Sequence, residues 1–156
     1  MLRRYRLRVI EHTADLAIEV EADTLPDLFD GAAMGMIALI ELEDPDGPVD
    51  DSAGVGLSDG DAKRAPEAVT RKLELSAPDL PSLMVHWLRE VLYLFQVEHL
   101  AYRGAEFQQL TTNSLRAAVH AEPAVEAFRE IKGVTYHDLE VSRRDDAWHT
   151  RLVFDV

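Results

Sequence analysis

Between positions 80 and 95 the apolar residues recur at intervals of three and four, the period of a helix with one face in a core. Asp79 precedes the stretch as a candidate N-cap, and Pro81 is tolerated in a first helical turn. A helix of this length gains most of its stability from packing its apolar face, so the rest of the chain must supply a complementary surface. The apolar stripe consists of Leu80, Leu83, Met84, Trp87, Leu88, Val91, Leu92 and Phe95.

A second helix is predicted after Thr24, because a hydroxyl cap, an early proline (Pro26) and an acidic residue (Asp27) mark a helix start. Elsewhere apolar and polar residues alternate, which is typical of strands. The last two strands are close enough to form a hairpin through a turn at 143–146. Two main helices among six or seven strands indicate an α+β fold on an antiparallel or mixed sheet. The predicted strands are 5–10, 16–21, 69–75, 104–109, 114–122, 135–141 and 148–156.

The length of 156 residues predicts a single domain, 1–156. Residues 44–66 are rich in Gly, Asp, Pro and Ser and lack an apolar period, so we interpret them as a flexible surface insertion. The insertion does not match a calcium-binding EF-hand loop. Counted from Asp44, Val49 stands where that loop needs Gly and Val55 where it needs Glu.

Composition excludes several classes of protein. The chain has no cysteine, which excludes disulfides and thiolate metal sites and suits the reducing cytoplasm. Neither a signal peptide nor an apolar run of membrane-spanning length is present, so no membrane partner is expected. Sixteen basic and 29 acidic residues give a net charge of −13, which disfavours direct binding to nucleic acid and favours docking on a basic protein. The oligomeric state stays open.

The residues with the most chemical potential lie near the two ends of the chain. Asp15 closes the block Glu11–Asp15 between two predicted strands, and Asp155 precedes Val156, which carries the terminal carboxylate. If the ends meet, three anionic groups lie together, and such a cluster needs a proton, a basic residue or a cation. Hard cations such as Ca²⁺ or Mg²⁺ prefer these oxygen donors.

Two other kinds of site remain open from the residues alone. His12, His137 and His149 could form a zinc site, although no motif with zinc-ligand spacing connects them. A stand-alone metal-dependent hydrolase could use Asp15 and Asp155 together with His12 and His137. No serine or threonine stands in a sequence pattern typical of a catalytic triad.

Several motifs in order resemble the archease family. They are the Glu11–Asp15 block, the helix with Gly35 and Met36, the helix at 83–95, the block at 132–141 and the end at 153–156. The resemblance covers nearly the whole chain except about 43–67. It implies an archease-like fold and an accessory protein rather than an enzyme. Archeases activate the GTP-dependent RtcB-type RNA ligase of tRNA splicing by promoting its guanylylation and turnover, so tRNA would be reached only through the ligase.

The resemblance also implies roles for particular residues. A divalent cation, in the family usually Ca²⁺, with Mg²⁺ or Mn²⁺ as alternatives, would be held by Asp15, Asp155 and Val156. Lys132 would be functionally important, and His12 and His137 would have supporting roles. A chaperone-like accessory protein for RNA processing or modification is the remaining alternative to the ligase activator and the hydrolase.

Overall fold

The computed structural model describes residues 5–11, 15–42 and 68–156. His12 and the predicted insertion at 44–66 lie outside these ranges. Within them, helices and strands occur in the order β1 Tyr5–Glu11, β2 Asp15–Ala22, α1 Leu25–Glu41, β3 Val69–Ser76, α2 Leu80–Gln96, β4 Leu100–Leu110, β5 Ser114–Pro123, β6 Gly133–Arg144 and β7 Ala147–Asp155.

The strands form two antiparallel sheets. One has the order β1-β2-β7-β6 and the other β3-β5-β4. Helix α1 contacts β1, β2 and β7 of the first sheet and β4 of the second, while α2 contacts β6, β4 and β3. The predicted α+β class and its two main helices are confirmed, and the two helices join the sheets through a shared core. In the described part of the chain, neither helix has the length and apolar character needed to cross a bilayer.

Both helices begin with the predicted caps. The Thr24 hydroxyl accepts a hydrogen bond from the Asp27 amide at 3.3 Å, and Asp79 Oδ1 accepts one from the Ser82 amide at 2.8 Å. These bonds satisfy amides that have no partner within a first helical turn. The hydrogen bond from the Ser82 amide also lowers the pKa of Asp79, because it stabilises the charged carboxylate.

Helix α1 is buried on more sides than its sequence predicts. The sequence places Leu25, Leu28, Phe29, Ala32, Met36, Leu39 and Ile40 on one helical face, whereas every residue from Gly31 to Ile40 is buried. The cause is the position of α1 between the two sheets, which surround it with strands. Tight packing against the first sheet also explains Gly31, where a Cβ atom would lie 2.6 Å from Tyr5 Cγ.

The two helices and the second sheet meet at the fully buried Trp87. Its Nε1 donates a hydrogen bond to the Phe29 carbonyl at 2.9 Å, which gives the buried indole N–H an acceptor in place of water. The Trp87 ring lies 5.6 Å from that of Tyr102 and 5.3 Å from that of Phe107. The Tyr102 hydroxyl in turn donates to Asp30 Oδ1 at 2.7 Å. This cluster fixes α1 and α2 against β4.

The irregular segment 124–132 closes the C-terminal end of α1. The Phe128 amide donates to the Ile40 carbonyl at 2.8 Å, and Arg129 Nη1 donates to the Leu39 carbonyl at 2.7 Å. Gln96, at the end of α2, donates from Nε2 to the Ile131 carbonyl at 2.7 Å. The segment therefore connects the ends of both helices and leads directly into β6.

Candidate functional site

The backbone register brings the two ends of the chain together at one edge of the four-stranded sheet. Asp15, the first residue of β2, pairs with Asp155, the last residue of β7. On the other side of β7, Asp155 pairs with Gly133, the first residue of β6. Three strands thus contribute neighbouring positions to one row, which consists of Asp15, Asp155 and Gly133. We call it the carboxylate row after its two aspartates.

Lys132 and Val156 border the carboxylate row. The Lys132 amide donates to the Asp155 carbonyl at 2.7 Å, which extends the pairing of β6 and β7 by one bond. The side chains of Lys132 and Asp155 are exposed, and so is Val156. A Cβ atom at Gly133 would meet nothing within 4 Å, so the space beside Asp155 is open. A small ion or ligand can therefore reach this side of the row.

The donor chemistry of the carboxylate row fits a hard cation. Directly opposite residues on antiparallel strands have Cβ atoms about 4.5–5.5 Å apart, and like charges at such positions are destabilising. A cation that accepts oxygen ligands relieves this repulsion. Among the described His, Asp and Glu side chains, no group of three could hold a metal ion.

His137 lies in a wide bulge rather than in regular alternation. Thr135 pairs with Val153 and Glu140 pairs with Arg151, so the four residues 136–139 stand opposite Leu152 alone. The predicted alternation through Thr135, His137, Leu139 and Val141 is therefore wrong at the bulge. The His137 side chain is 72% exposed and its Nε2 lies 3.3 Å from the Asp138 carboxylate. Asp138 has a positive φ of 53°, which an Asp tolerates better than most side chains.

His149, the third histidine considered for zinc, faces a different part of the molecule. Its Nδ1 lies 3.9 Å from Glu21 on the four-stranded sheet, in the row that also contains Arg6. In the next row Glu19 accepts hydrogen bonds from Arg8 and Arg151 at 2.9 and 3.0 Å. The cations beside the surface depression of about 610 Å³ on this sheet are thus largely paired with carboxylates. Such exposed pairs contribute little stability and leave little net charge for a ligand.

A cleft of about 730 Å³ next to Lys132 has no counterpart in the sequence predictions. It lies between the ends of α1 and α2 and the segment 124–132. Buried Ile40, Phe95 and Ile131 and exposed Phe128 supply its apolar lining, and Lys132 stands at its border. Periodicity gives no signal for such a feature, because segment 124–132 is irregular and its neighbours come from distant parts of the chain.

Comparison with known proteins agrees with this architecture. The model of the Archease protein family matches residues 7–156. The protein archease of Methanosarcina acetivorans is 30% identical over 155 residues, covering 94% of this chain and 93% of that protein.

Two solved structures share the fold. The solution structure of Methanobacterium thermoautotrophicum protein 1598 has a TM-score of 0.66 at 18% identity and covers 96% of this chain and 98% of that one. The crystal structure of "an archease, possible chaperone" from Thermotoga maritima has a TM-score of 0.56 at 19% identity and covers 94% of each chain. The family model matches nearly the whole length of this chain, which shows that the chain belongs to the archease family.

Proposed function

We propose that this protein is an accessory protein without catalytic activity of its own, which activates a GTP-dependent RtcB-type RNA ligase of tRNA splicing in the cytoplasm. It would promote guanylylation of the ligase and its turnover, and it would reach tRNA only through the ligase. Membership in the archease family supports this proposal. The observation that carries it is the register that sets Asp15 opposite Asp155, with Lys132 bonded to the same strand.

The carboxylate row is the proposed centre of this activity. Asp15, Asp155 and the terminal carboxylate of Val156 would hold a divalent cation, Ca²⁺ or alternatively Mg²⁺ or Mn²⁺. When bound, the cation would supply a centre of positive charge for phosphate or carboxylate oxygens. Lys132 would offset part of the negative charge and contact the partner or its nucleotide. His12 and His137 would have supporting roles.

Charge supports docking on a ligase rather than independent action on RNA. A protein with a net charge of −13 repels the phosphate backbone, whereas its acidic surface attracts a basic cleft that binds RNA. Delivery of the carboxylate row to such a cleft would place anionic oxygens and a cation where a nucleoside triphosphate reacts. Guanylylation depends on metal ions and on a correctly placed nucleophile, so a small shift of either changes its rate.

Single-turnover guanylylation of the cognate ligase, in a defined divalent metal, tests this function. The wild-type protein should stimulate the reaction strongly, and Asp15→Ala or Asp155→Ala should abolish the stimulation while the far-UV circular dichroism spectrum stays that of the folded protein. Glu74→Ala, which removes an exposed carboxylate from β3, is the matched control and should stimulate normally. Titration with Ca²⁺ in the absence of ligase should show binding to the wild type and to Glu74→Ala only.

A folded, metal-loaded wild-type protein that gives no stimulation would contradict the proposal. The chaperone-like alternative is favoured by the description of the Thermotoga maritima protein as a possible chaperone. That alternative predicts better recovery of active ligase after thermal stress, with no change in the guanylylation rate of native ligase. Turnover of a substrate without any partner would instead indicate the metal-dependent hydrolase.

A further inference from the structure

The exposed large hydrophobic side chains of the described chain are confined to a few elements. They lie on the second half of α2, on segment 124–132, at the start of β6 and at the end of β7. Elsewhere in the described ranges the large apolar side chains are buried or partly covered. The exposed ones are Tyr93, Val97, Val125, Phe128, Tyr136 and Val156, with relative exposures of 36–68%.

Helix α2 presents a stripe toward β6. Arg89, Tyr93 and Val97 are spaced by four residues and therefore share one face of the helix. The Arg89 guanidinium lies 5.7 Å from the centre of the Tyr136 ring, which connects the stripe to the bulge of β6. Tyr93 and Tyr136 are each about half exposed, at 51% and 50%. The Tyr136 ring beside the guanidinium, together with Tyr93 on the same helix face as Arg89, forms a partly apolar surface.

The stripe continues to Phe128 and borders the carboxylate row. Gln96 bonds to the Ile131 carbonyl, which places the end of α2 against segment 124–132 and the exposed Phe128 ring. The next residue, Lys132, bonds to Asp155. We call the surface of Tyr93, Val97, Phe128 and Tyr136 the α2 patch.

We propose that the α2 patch is the docking surface for a protein with an apolar face ringed by Lys and Arg. Tyr, Phe and Arg are enriched in the energetically important centres of protein interfaces, and exposed apolar clusters of this kind mark interaction sites. Exposed carboxylates lie two positions from Phe128 and from Tyr136 along the chain, and Asp155 is bonded to Lys132, so we expect an acidic rim, which favours a basic partner surface. These rim residues are Glu126, Glu130, Asp138 and Asp155.

A second copy of this chain is disfavoured as the occupant. Two copies meeting through the patch would bring two acidic rims together, each on a protein with a net charge of −13. Arg89 lies beside Tyr136 of the patch, and Arg129 is already bonded to α1. The proposal rests on the proposed function in one respect: the ligase activated through the carboxylate row is the basic partner that the patch contacts.

Binding of purified ligase to the wild-type protein and to the double variant Tyr93→Ser/Tyr136→Ser tests the assignment. The Kd of the double variant should rise by about tenfold or more, because central aromatic residues carry much of the binding energy in such interfaces. Ca²⁺ titration should be unchanged, since neither side chain belongs to the carboxylate row. Gln108→Ser, an exposed neutral residue on β4, is the control and should bind ligase as the wild type does.

The possible results distinguish failure of the α2 patch as a docking surface from failure of the proposed function. Stimulation of guanylylation that is restored when the double variant is supplied at saturating concentration supports the patch. A double variant that binds ligase as tightly as the wild type overturns the patch while leaving the function intact. Loss of self-association, measured by sedimentation, with unchanged ligase binding overturns it in favour of a second copy. A wild type that neither binds nor stimulates the ligase overturns both proposals. If the double variant has a lower melting temperature than the wild type, ligase binding is compared between the wild type and the single variant Val97→Ser.

Discussion

Tyr102 and Asp30 show how one hydrogen bond connects the helices to the second sheet. Tyr102 is fully buried beside Trp87, and its hydroxyl donates to the Asp30 carboxylate at 2.7 Å. Burial, and then the nearby charge of Asp30, raise the pKa of Tyr102 well above its usual value of 10.0. The phenol therefore stays neutral in the folded protein at pH values where it ionises in the unfolded chain.

Tyr102→Phe should change the pH dependence of stability at alkaline pH. Because the folded-state pKa is raised, the stabilising effect is complete below about pH 10 and is lost as pH rises above it, by up to about 1.4 kcal/mol per pH unit. The variant should be less stable than the wild type by about 1–3 kcal/mol at pH 9, since Asp30 loses this donor. Urea unfolding at pH 9 and pH 11 should show a smaller difference at pH 11. An equal difference at both values would contradict the assignment.

Helix α1 shows how glycine sets the distance between a helix and a sheet. Gly31 and Gly35 are one turn apart and face β1 and β2. A Cβ atom at Gly31 would approach the Tyr5 ring and Val20 Cγ1 to within 2.8 Å, whereas at Gly35 it would meet the flexible ends of Leu7 and Ile18. The two glycines thus allow the same close approach, but the surroundings of Gly35 can adjust more easily.

Gly31→Ala should destabilise the protein more than Gly35→Ala does. Alanine gains about 1 kcal/mol of helix propensity, but overpacking costs about 1–3 kcal/mol and is largest against a ring that cannot move aside. Chemical denaturation should show a net loss of about 1 kcal/mol or more for Gly31→Ala. Gly133→Ala, where the added Cβ meets nothing within 4 Å, is the control and should change the free energy of unfolding little. Equal stability of all three variants would show that α1 does not lie this close to the sheet.

The charge of the whole protein acts against its compact state. A net charge of −13 produces self-repulsion in the folded chain, and exposed ion pairs offset little of it because each contributes little stability. The rows of paired charges on the four-stranded sheet, such as Arg8 with Glu19, remove part of this repulsion locally. The acidic surfaces elsewhere favour encounter with a basic partner.

Raising NaCl from about 0.01 M to about 0.15 M should therefore increase the melting temperature. The screening length falls from about 30 Å to about 8 Å over this range, which weakens long-range repulsion more than it weakens contacts within ion pairs. CaCl₂ at matched ionic strength should raise the melting temperature of the wild type further, by mass action at the carboxylate row, and should do so less for Asp155→Ala. A melting temperature that falls with NaCl would show that the ion pairs outweigh net repulsion.

Local sequence determined the helices, their caps and most strands, because these depend on the period of apolar side chains within a few neighbouring residues. The helix from Leu80 to Gln96 and the terminal hairpin were predictable for this reason. The same sequence nominated Asp15, Asp155 and Lys132 as candidates, from their motifs and their charges.

Only the tertiary structure decided which of these candidates become neighbours. Asp15 pairs with a residue 140 positions later (155 − 15), and no local pattern encodes a contact at that separation. The division into two sheets, the burial of α1 on most sides, the bulge around His137 and the α2 patch arise in the same way. Each depends on packing between distant segments, whose free energy is gained only when the whole core assembles.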